Sequence, residues 1–378
     1  MGHHLRAWRV RVEHVTVPSK PPTRRRAGLA LGLPVLIVGL VVATLAVSGR
    51  WFLPGQQRLG LVGFNWPNAG RVYVTQLVQQ STTPTQPDRP FTVARAHGIT
   101  RVRVFIGDDL TIRSWQQDPA AAMDRVQRML NDAAAADVKI VVGNYLTQDT
   151  VSVLAGHGYP SWAAAQQDLT TPGSPPWTEF GAWLQALAGR FGHSPAIASF
   201  EVMNEPNWML GLDSGAVDRD TGLRFLDHFA AALHDFGAPE VNGGGRPVYD
   251  PVTLSDTQLA LYTRNLDVLD DHLYPALEPD GRPVGGAGDA RAAVAGTARW
   301  FDRARAVTHR RMPGMLGEVG TVPDVWGKSA AEAGSARGWT TLAWAFDAFD
   351  VNNFTDTVHT ETLSWVTARN NAALKTQH

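Results

Sequence analysis

The chain has 378 residues, a formal net charge of −1, thirteen tryptophans and no cysteine. The lack of thiols excludes disulfides, thiolate metal sites and a cysteine nucleophile, and this length can bury a large core without covalent staples. Charge is unevenly spread. Residues 1–26 carry seven bases (Arg6, Arg9, Arg11, Lys20, Arg24, Arg25, Arg26) against one acid, Glu13, so the remainder is net acidic, which argues against nucleic acid as a partner.

In chain order the first feature is Ala27 to Ser48, 22 residues without a charge. At ~1.5 Å rise per residue such a helix can cross a ~30 Å hydrocarbon layer, and Pro34 in its first third is tolerable there. Arg24-Arg25-Arg26 abuts its N-terminal end. By the positive-inside rule, residues 1–26 form a cytoplasmic basic tail, 27–48 a transmembrane signal anchor and 49–57 a linker to an extracellular domain at 58–373. The expected location is the cell membrane, single-pass. The alternative is secretion after cleavage near Ala43-Thr44-Leu45-Ala46, although a signal peptide usually has an apolar region of only ~7–15 residues.

From Gly60 onward, short apolar runs alternate with amphipathic stretches, the pattern of a parallel sheet with crossover helices. The strands expected are Leu59–Phe64, Arg101–Ile106, Val138–Gly143, Ile197–Met203, Glu240–Gly244, Val268–His272, Gly314–Gly317 and Thr340–Phe346. Between them, Asp118 and Pro119 open a helix to Ala136, Trp177–Phe191 stops at Gly192, and Thr221–Phe236 stops at Gly237. Ala290–Arg310 carries Trp300 and Phe301 on its apolar stripe. Eight such repeats predict one (β/α)8 TIM barrel. No G-x-G-x-x-G follows the first strand, so an open nucleotide-binding sheet has no support.

Two glutamates stand where strands open into loops: Glu205 in Phe200-Glu201-Val202-Met203-Asn204-Glu205-Pro206, and Glu318 in Leu316-Gly317-Glu318-Val319-Gly320. They are 113 residues apart, while three barrel units of average size need about 94, so both fall at strand ends with modest loop insertions. Barrel enzymes place their chemistry there. A carboxyl pair is the apparatus of glycoside hydrolysis: one group protonates the leaving oxygen and the other meets the positive charge at the anomeric carbon.

The Phe-Glu-x-x-Asn-Glu-Pro stretch at 200–206 resembles the strand-4 motif of glycoside hydrolase clan A, especially family 5, the cellulase and mannanase family. The likeness covers about residues 58–370. It implies that Glu205 is the general acid/base, Glu318 the nucleophile and Asn204 a contact to the sugar 2-hydroxyl. It further implies that Arg103 lies near the nucleophile, where Glu201 is also a possible ion-pair partner. His272 would line the site, Tyr274 orient the nucleophile and Trp344 stack under the sugar at the cleavage point. Many family 5 cellulases end strand 3 in histidine; here Asn144 stands in that place, which looks more like the mannanase branch. Asn144 is either a sugar contact or a loop-turn asparagine. Trp66, Trp208 and Trp326 each divide evenly between cleft wall and packing.

Metal ligation has little support: no His-Glu-x-x-His occurs, and Asp213, Asp218 and Asp220 do not have calcium-loop spacing. No cofactor is expected. The expected activity is that of a retaining glycosidase acting on O-glycosidic bonds of a β-linked polysaccharide or oligosaccharide, a β-glucan or β-mannan. The alternatives are a transglycosidase remodelling envelope glycan and a non-catalytic carbohydrate-binding barrel.

Overall fold

The computed structural model describes residues 60–66, 69–75, 89–278, 283–320, 324–344 and 365–371, all within the compact unit Gln57–His378. The expected anchor at 27–48 lies outside them. Among the described residues, no helix is long and apolar enough to cross a membrane.

Eight strands form one sheet: β1 (Val62–Trp66), β2 (Arg101–Phe105), β3 (Lys139–Gly143), β4 (Ile197–Glu201), β5 (Val241–Asn242), β6 (Leu269–Leu273), β7 (Gly314–Gly320) and β8 (Thr340–Trp344). Their order is β5-β4-β3-β2-β1-β8-β7-β6, with every neighbour parallel. A parallel bridge between Asn242 and Val268 joins the two ends of the sheet. The expected (β/α)8 barrel is therefore present. Beyond β6, Ala276–Leu277 pairs antiparallel with Pro283–Val284.

The helices start and stop for local reasons. Asp118 accepts the Ala121 N–H and Pro119 takes the first position of Pro119–Ala135, where its missing N–H costs no hydrogen bond. Asp218 caps Arg219–Asp235 in the same way, and Gly237 leaves that helix at φ 102°. Ala287–Thr308 begins three residues before its expected start and buries Trp300 and Phe301 against the barrel.

Side-chain alternation divides the core into an outer and an inner part. Val62, Phe64 and Trp66 belong to the large core between strands and helices, which leaves Asn65 to the barrel interior. Val141, Val268, Met315 and Leu342 form a second apolar cluster. Their chain neighbours Ile140, Val142 and Leu316 lie in the outer core, so the four face inward and plug the barrel. The interior also holds a polar layer: Asn65, Arg103, Glu201, Asp270 and Glu318 are all buried.

One irregularity positions the site. Asp271 of β6 pairs with Leu316, but His272 pairs with Glu318, so Gly317 is an extra residue in β7. Simple alternation from the inward Met315 would turn Glu318 toward the helices. A one-residue bulge restores the inward direction. Asn65 Nδ2 donates to the Gly317 carbonyl at 2.9 Å, and the Gly317 N–H donates to Asp270 Oδ1 at 2.8 Å. No larger residue fits at the bulge, because a Cβ there would lie 2.6 Å from both Asp270 oxygens.

Candidate active site

Arg103 is the centre of the site. It reaches inward from β2, is fully buried, and stacks its guanidinium 4.5 Å from the centre of the Phe105 ring. Nε and Nη2 donate to the two oxygens of Glu201 at 2.6 and 2.7 Å. Nη1 donates to Glu318 Oε1 at 2.6 Å and to Asn65 Oδ1 at 3.0 Å, while Nη2 also reaches Asn204 Oδ1 at 2.8 Å. Burial alone would lower the Arg103 pKa, but Glu201 and Glu318 outweigh it and hold the guanidinium charged. The anticipated pairing with Glu201 and the position beside Glu318 therefore both occur.

Glu318 is held from two sides. Arg103 donates to Oε1, and the Tyr274 hydroxyl donates to Oε2. Burial, followed by the charge of Glu318, raises the Tyr274 phenol above its ordinary pKa, so the hydroxyl keeps its proton and acts as a donor. The residue as a whole is 45 % exposed and lines the cavity, so one tyrosine both holds Glu318 and faces the cleft.

Glu205 stands differently. It follows β4 with left-handed backbone angles, φ 40° and ψ 65°, and precedes a short helix, Pro206–Met209. A non-glycine residue there stores strain of order 1–3 kcal/mol, a cost met at functional sites. Two backbone bonds fix the turn: Asn204 N–H to the Asn144 carbonyl, and Glu205 N–H to the Gly244 carbonyl, both 2.7 Å. Burial raises the Glu205 pKa above the usual glutamate range, against the pull of Arg103. His272 Nδ1 lies 3.3 Å from Glu205 Oε1 and 3.6 Å from Glu318 Oε1. Burial lowers the imidazole pKa to about 4, so it is neutral near pH 7.

One carboxylate oxygen each from Glu205 and Glu318, and a ring nitrogen of His272, lie within 4.8 Å of one another. By donor type such a trio could hold a cation. Here both Glu318 oxygens already accept from Arg103 and Tyr274, and the adjacent guanidinium repels a cation. The arrangement is that of a carboxyl pair. Asp213, Asp218 and Asp220 make ordinary loop and cap bonds to Tyr249 N, Thr221 N and Gln258 Nε2.

A cavity of about 770 Å³ opens on the Glu205 side. Glu205, His272, Tyr274, Asn207, Arg246 and Tyr249 contribute to its walls. Trp344 is half-buried at the end of β8, its ring 6.2 Å from that of Phe105. Asn204 commits its Oδ1 to Arg103, which leaves the Nδ2 donor for a ligand.

Two expected contacts lie elsewhere. Trp66 is 3 % exposed and makes edge contacts with Tyr73 and Phe91 on the helix side of β1, so it has no face for a sugar. Asn144 is fully buried: Nδ2 donates to the Glu201 carbonyl, and Oδ1 accepts from Trp183 Nε1 at 2.9 Å. It braces the end of β4 rather than touching substrate. Trp326 is likewise buried, whereas Trp208 is 54 % exposed but outside the cavity's lining. The inward neighbours of the two displaced contacts are Asn65, which ties Arg103 to the bulge, and Tyr145. The Tyr145 phenol is raised by burial and then by Glu205 and Glu318, which puts it within the field of both carboxyls. Asp270 also went unrecognised. The alternation within β1, β3 and β6 carries the signal for all three.

Residues 75–219 match the family described as Cellulase (glycosyl hydrolase family 5), a stretch that includes Arg103, Asn204 and Glu205 but not Glu318. No match is found among curated proteins. Solved structures share the fold at low identity. The exo-beta-1,4-mannosidase Op5Man5 from Opitutaceae bacterium strain TAV5 is 16 % identical, with TM-score 0.58 over 87 % of this chain and 62 % of its own, so this chain spans under two thirds of that protein. An endo-beta-1,4-mannanase from Thermotoga petrophila is 13 % identical, with TM-score 0.56 over 85 % of this chain and 78 % of its own. Endo-glycoceramidase II from Rhodococcus sp. is 19 % identical, with TM-score 0.53 over 81 % and 78 %. The family match runs from the first barrel helices to the Asn-Glu-Pro turn, so that part of the chain is similar to glycosyl hydrolase family 5, and the barrel around it has the fold of these solved glycosidases.

Proposed function

We propose that the enzyme is a retaining glycosidase that cleaves β-linked poly- or oligosaccharide, a β-glucan or β-mannan, by double displacement. The observation that carries this reading is the 4.8 Å limit on the separation of the Glu205 and Glu318 oxygens. Retaining enzymes hold their carboxyls about 5–5.5 Å apart, and inverting enzymes need about 6.5–9.5 Å to admit a water. The environments divide the labour. Glu318, with Arg103 and Tyr274 donating to it, is the ionised nucleophile that attacks the anomeric carbon. Glu205, its pKa raised by burial, donates a proton to the departing oxygen and then takes one from the water that releases the glycosyl-enzyme. Asn204 Nδ2 donates to the 2-hydroxyl, and Trp344 and Tyr274 offer flat apolar faces to sugar C–H surfaces. The chemistry calls for no cofactor.

The substrate class rests on the family match and on similar folds whose names state action on β-1,4-mannosyl bonds. For location we propose a single-pass anchor through 27–48 with the barrel extracellular. External protease that removes the barrel from intact cells supports it, and a barrel protected until lysis contradicts it. The mechanism is tested with Glu318→Ala and azide: activity should collapse, then partly return as a glycosyl azide of inverted anomeric configuration. Unchanged activity without azide removes Glu318 from the role.

A further inference from the structure

Asp270 is fully buried on β6, two residues before His272 and on the same inward face. Its Oδ1 accepts the bulged Gly317 N–H. Its Oδ2 has no hydrogen-bond partner among the described residues, and neither does His272 Nε2. These two orphaned atoms face each other at 3.9 Å. A buried polar atom left unpaired costs about 1–3 kcal/mol, and here two complementary ones need only a small approach to pair.

We propose that Asp270 is a positioning residue: as a carboxylic acid it donates through Oδ2 to His272 Nε2, which fixes the imidazole proton on Nδ1, facing Glu205 and Glu318. The neighbouring charges select this proton arrangement over its mirror, an ionised Asp270 accepting from Nε2–H. One guanidinium, Arg103, already serves two buried carboxylates, Glu201 and Glu318. The other nearby cation, Arg246, is paired with Asp271. A third buried carboxylate in this layer would have no counter-charge, and an isolated buried charge neutralises instead. In keeping with this, burial and then Glu201 push the Asp270 carboxyl well above its usual range, against Arg103. The N–H so aimed supports the negative charge that Glu205 acquires when its proton leaves. Asp270 thereby links the bulge that presents Glu318 to the histidine beside Glu205.

The consequence for rate rests on the proposed roles of Glu205 and Glu318; the proton position does not, and is measured separately. Full-length protein in detergent is labelled with ¹⁵N-histidine, and the His272 signals are identified by their absence from His272→Asn. The expected spectrum at pH 7 has a protonated Nδ1 and a bare Nε2. Asp270→Asn can repeat both bonds, accepting from Gly317 and donating to Nε2. It should keep the tautomer and kcat/KM within about twofold. Asp270→Ala should yield mixed tautomers and lose about tenfold in kcat/KM. A wild-type His272 protonated on Nε2 overturns the proposal, as does Asp270→Asn losing activity while Glu318→Ala behaves as a nucleophile variant should. If Asp270→Ala does not fold, the wild-type and Asp270→Asn spectra still decide.

Discussion

The ends of β4 and β7 each present one glutamate, and they treat it in opposite ways. Glu318 is still within its strand, its side chain only 4 % exposed, with donors on both oxygens. Glu205 stands four residues beyond the end of regular β4, in a strained left-handed conformation, one-third exposed, with His272 Nδ1 3.3 Å from its Oε1. The difference shows that side-chain identity does not assign a role. Two donors on an enclosed carboxylate favour its charge, while burial beside a neutral imidazole favours the proton.

The sharpest way to break this contrast is to remove the charge at β7. Glu318→Ala should reduce kcat by about 10⁴-fold or more, measured on any turned-over glycoside, while leaving the barrel folded. Glu205→Gln should cost about 10²–10⁴-fold on substrates with poor leaving groups and far less on activated aryl glycosides; equal losses on both would erase the distinction between the two ends. Arg103→Met leaves Glu201 and Glu318 buried without their cation. We expect about 3–5 kcal/mol lost in denaturant unfolding, with activity lost in the fraction that remains folded. Tyr274→Phe removes one donor from Glu318 and should lower kcat/KM about tenfold, with Glu205-dependent leaving-group effects unchanged.

The smallest effect is on pH dependence. Glu205 must be protonated to act as acid, and its folded pKa is raised, so the alkaline limb of kcat/KM should lie above the ordinary glutamate range. The same shift has a sign for stability. A raised folded pKa gives a contribution fully present below the unfolded pKa and lost as pH rises through the folded one. Glu205→Gln, which imitates the protonated acid, should therefore melt higher than wild type at pH 7 and show no gain below the unfolded glutamate pKa. A gain of the same size at both pH values would contradict it.

Much of this was legible because barrel strands are buried on both faces and read as apolar runs. The strands were located to within a few residues, and both carboxyls followed from the rule that chemistry sits at strand ends. What was misread lies at the ends of two strands, where the alternation was not carried far enough. Ending the first strand at Phe64 rather than Trp66 removed the alternation that would have set Asn65 inward and Trp66 outward. At the end of β3 the same alternation, run on from the inward Val141, points to Tyr145 and turns Asn144 toward Trp183. Side chains go on alternating past the last residue of the apolar run, and a residue placed one position out of that alternation is assigned the wrong face. The bulge at Gly317 is harder to foresee. The sequence shows a glycine before a glutamate, but that Glu318 needs an extra residue to face inward depends on register with β6 and β8, which only the assembled sheet defines.

The account turns on Glu318 as the nucleophile whose oxygen bonds the sugar's anomeric carbon as the bond to the leaving group breaks. A 2-deoxy-2-fluoro glycoside with a good leaving group should trap the covalent intermediate, and peptide mass spectrometry should place the sugar on Glu318, with none formed in Glu318→Gln. A sugar attached to another residue, or turnover of the natural substrate with inversion and no trapped adduct, would contradict it.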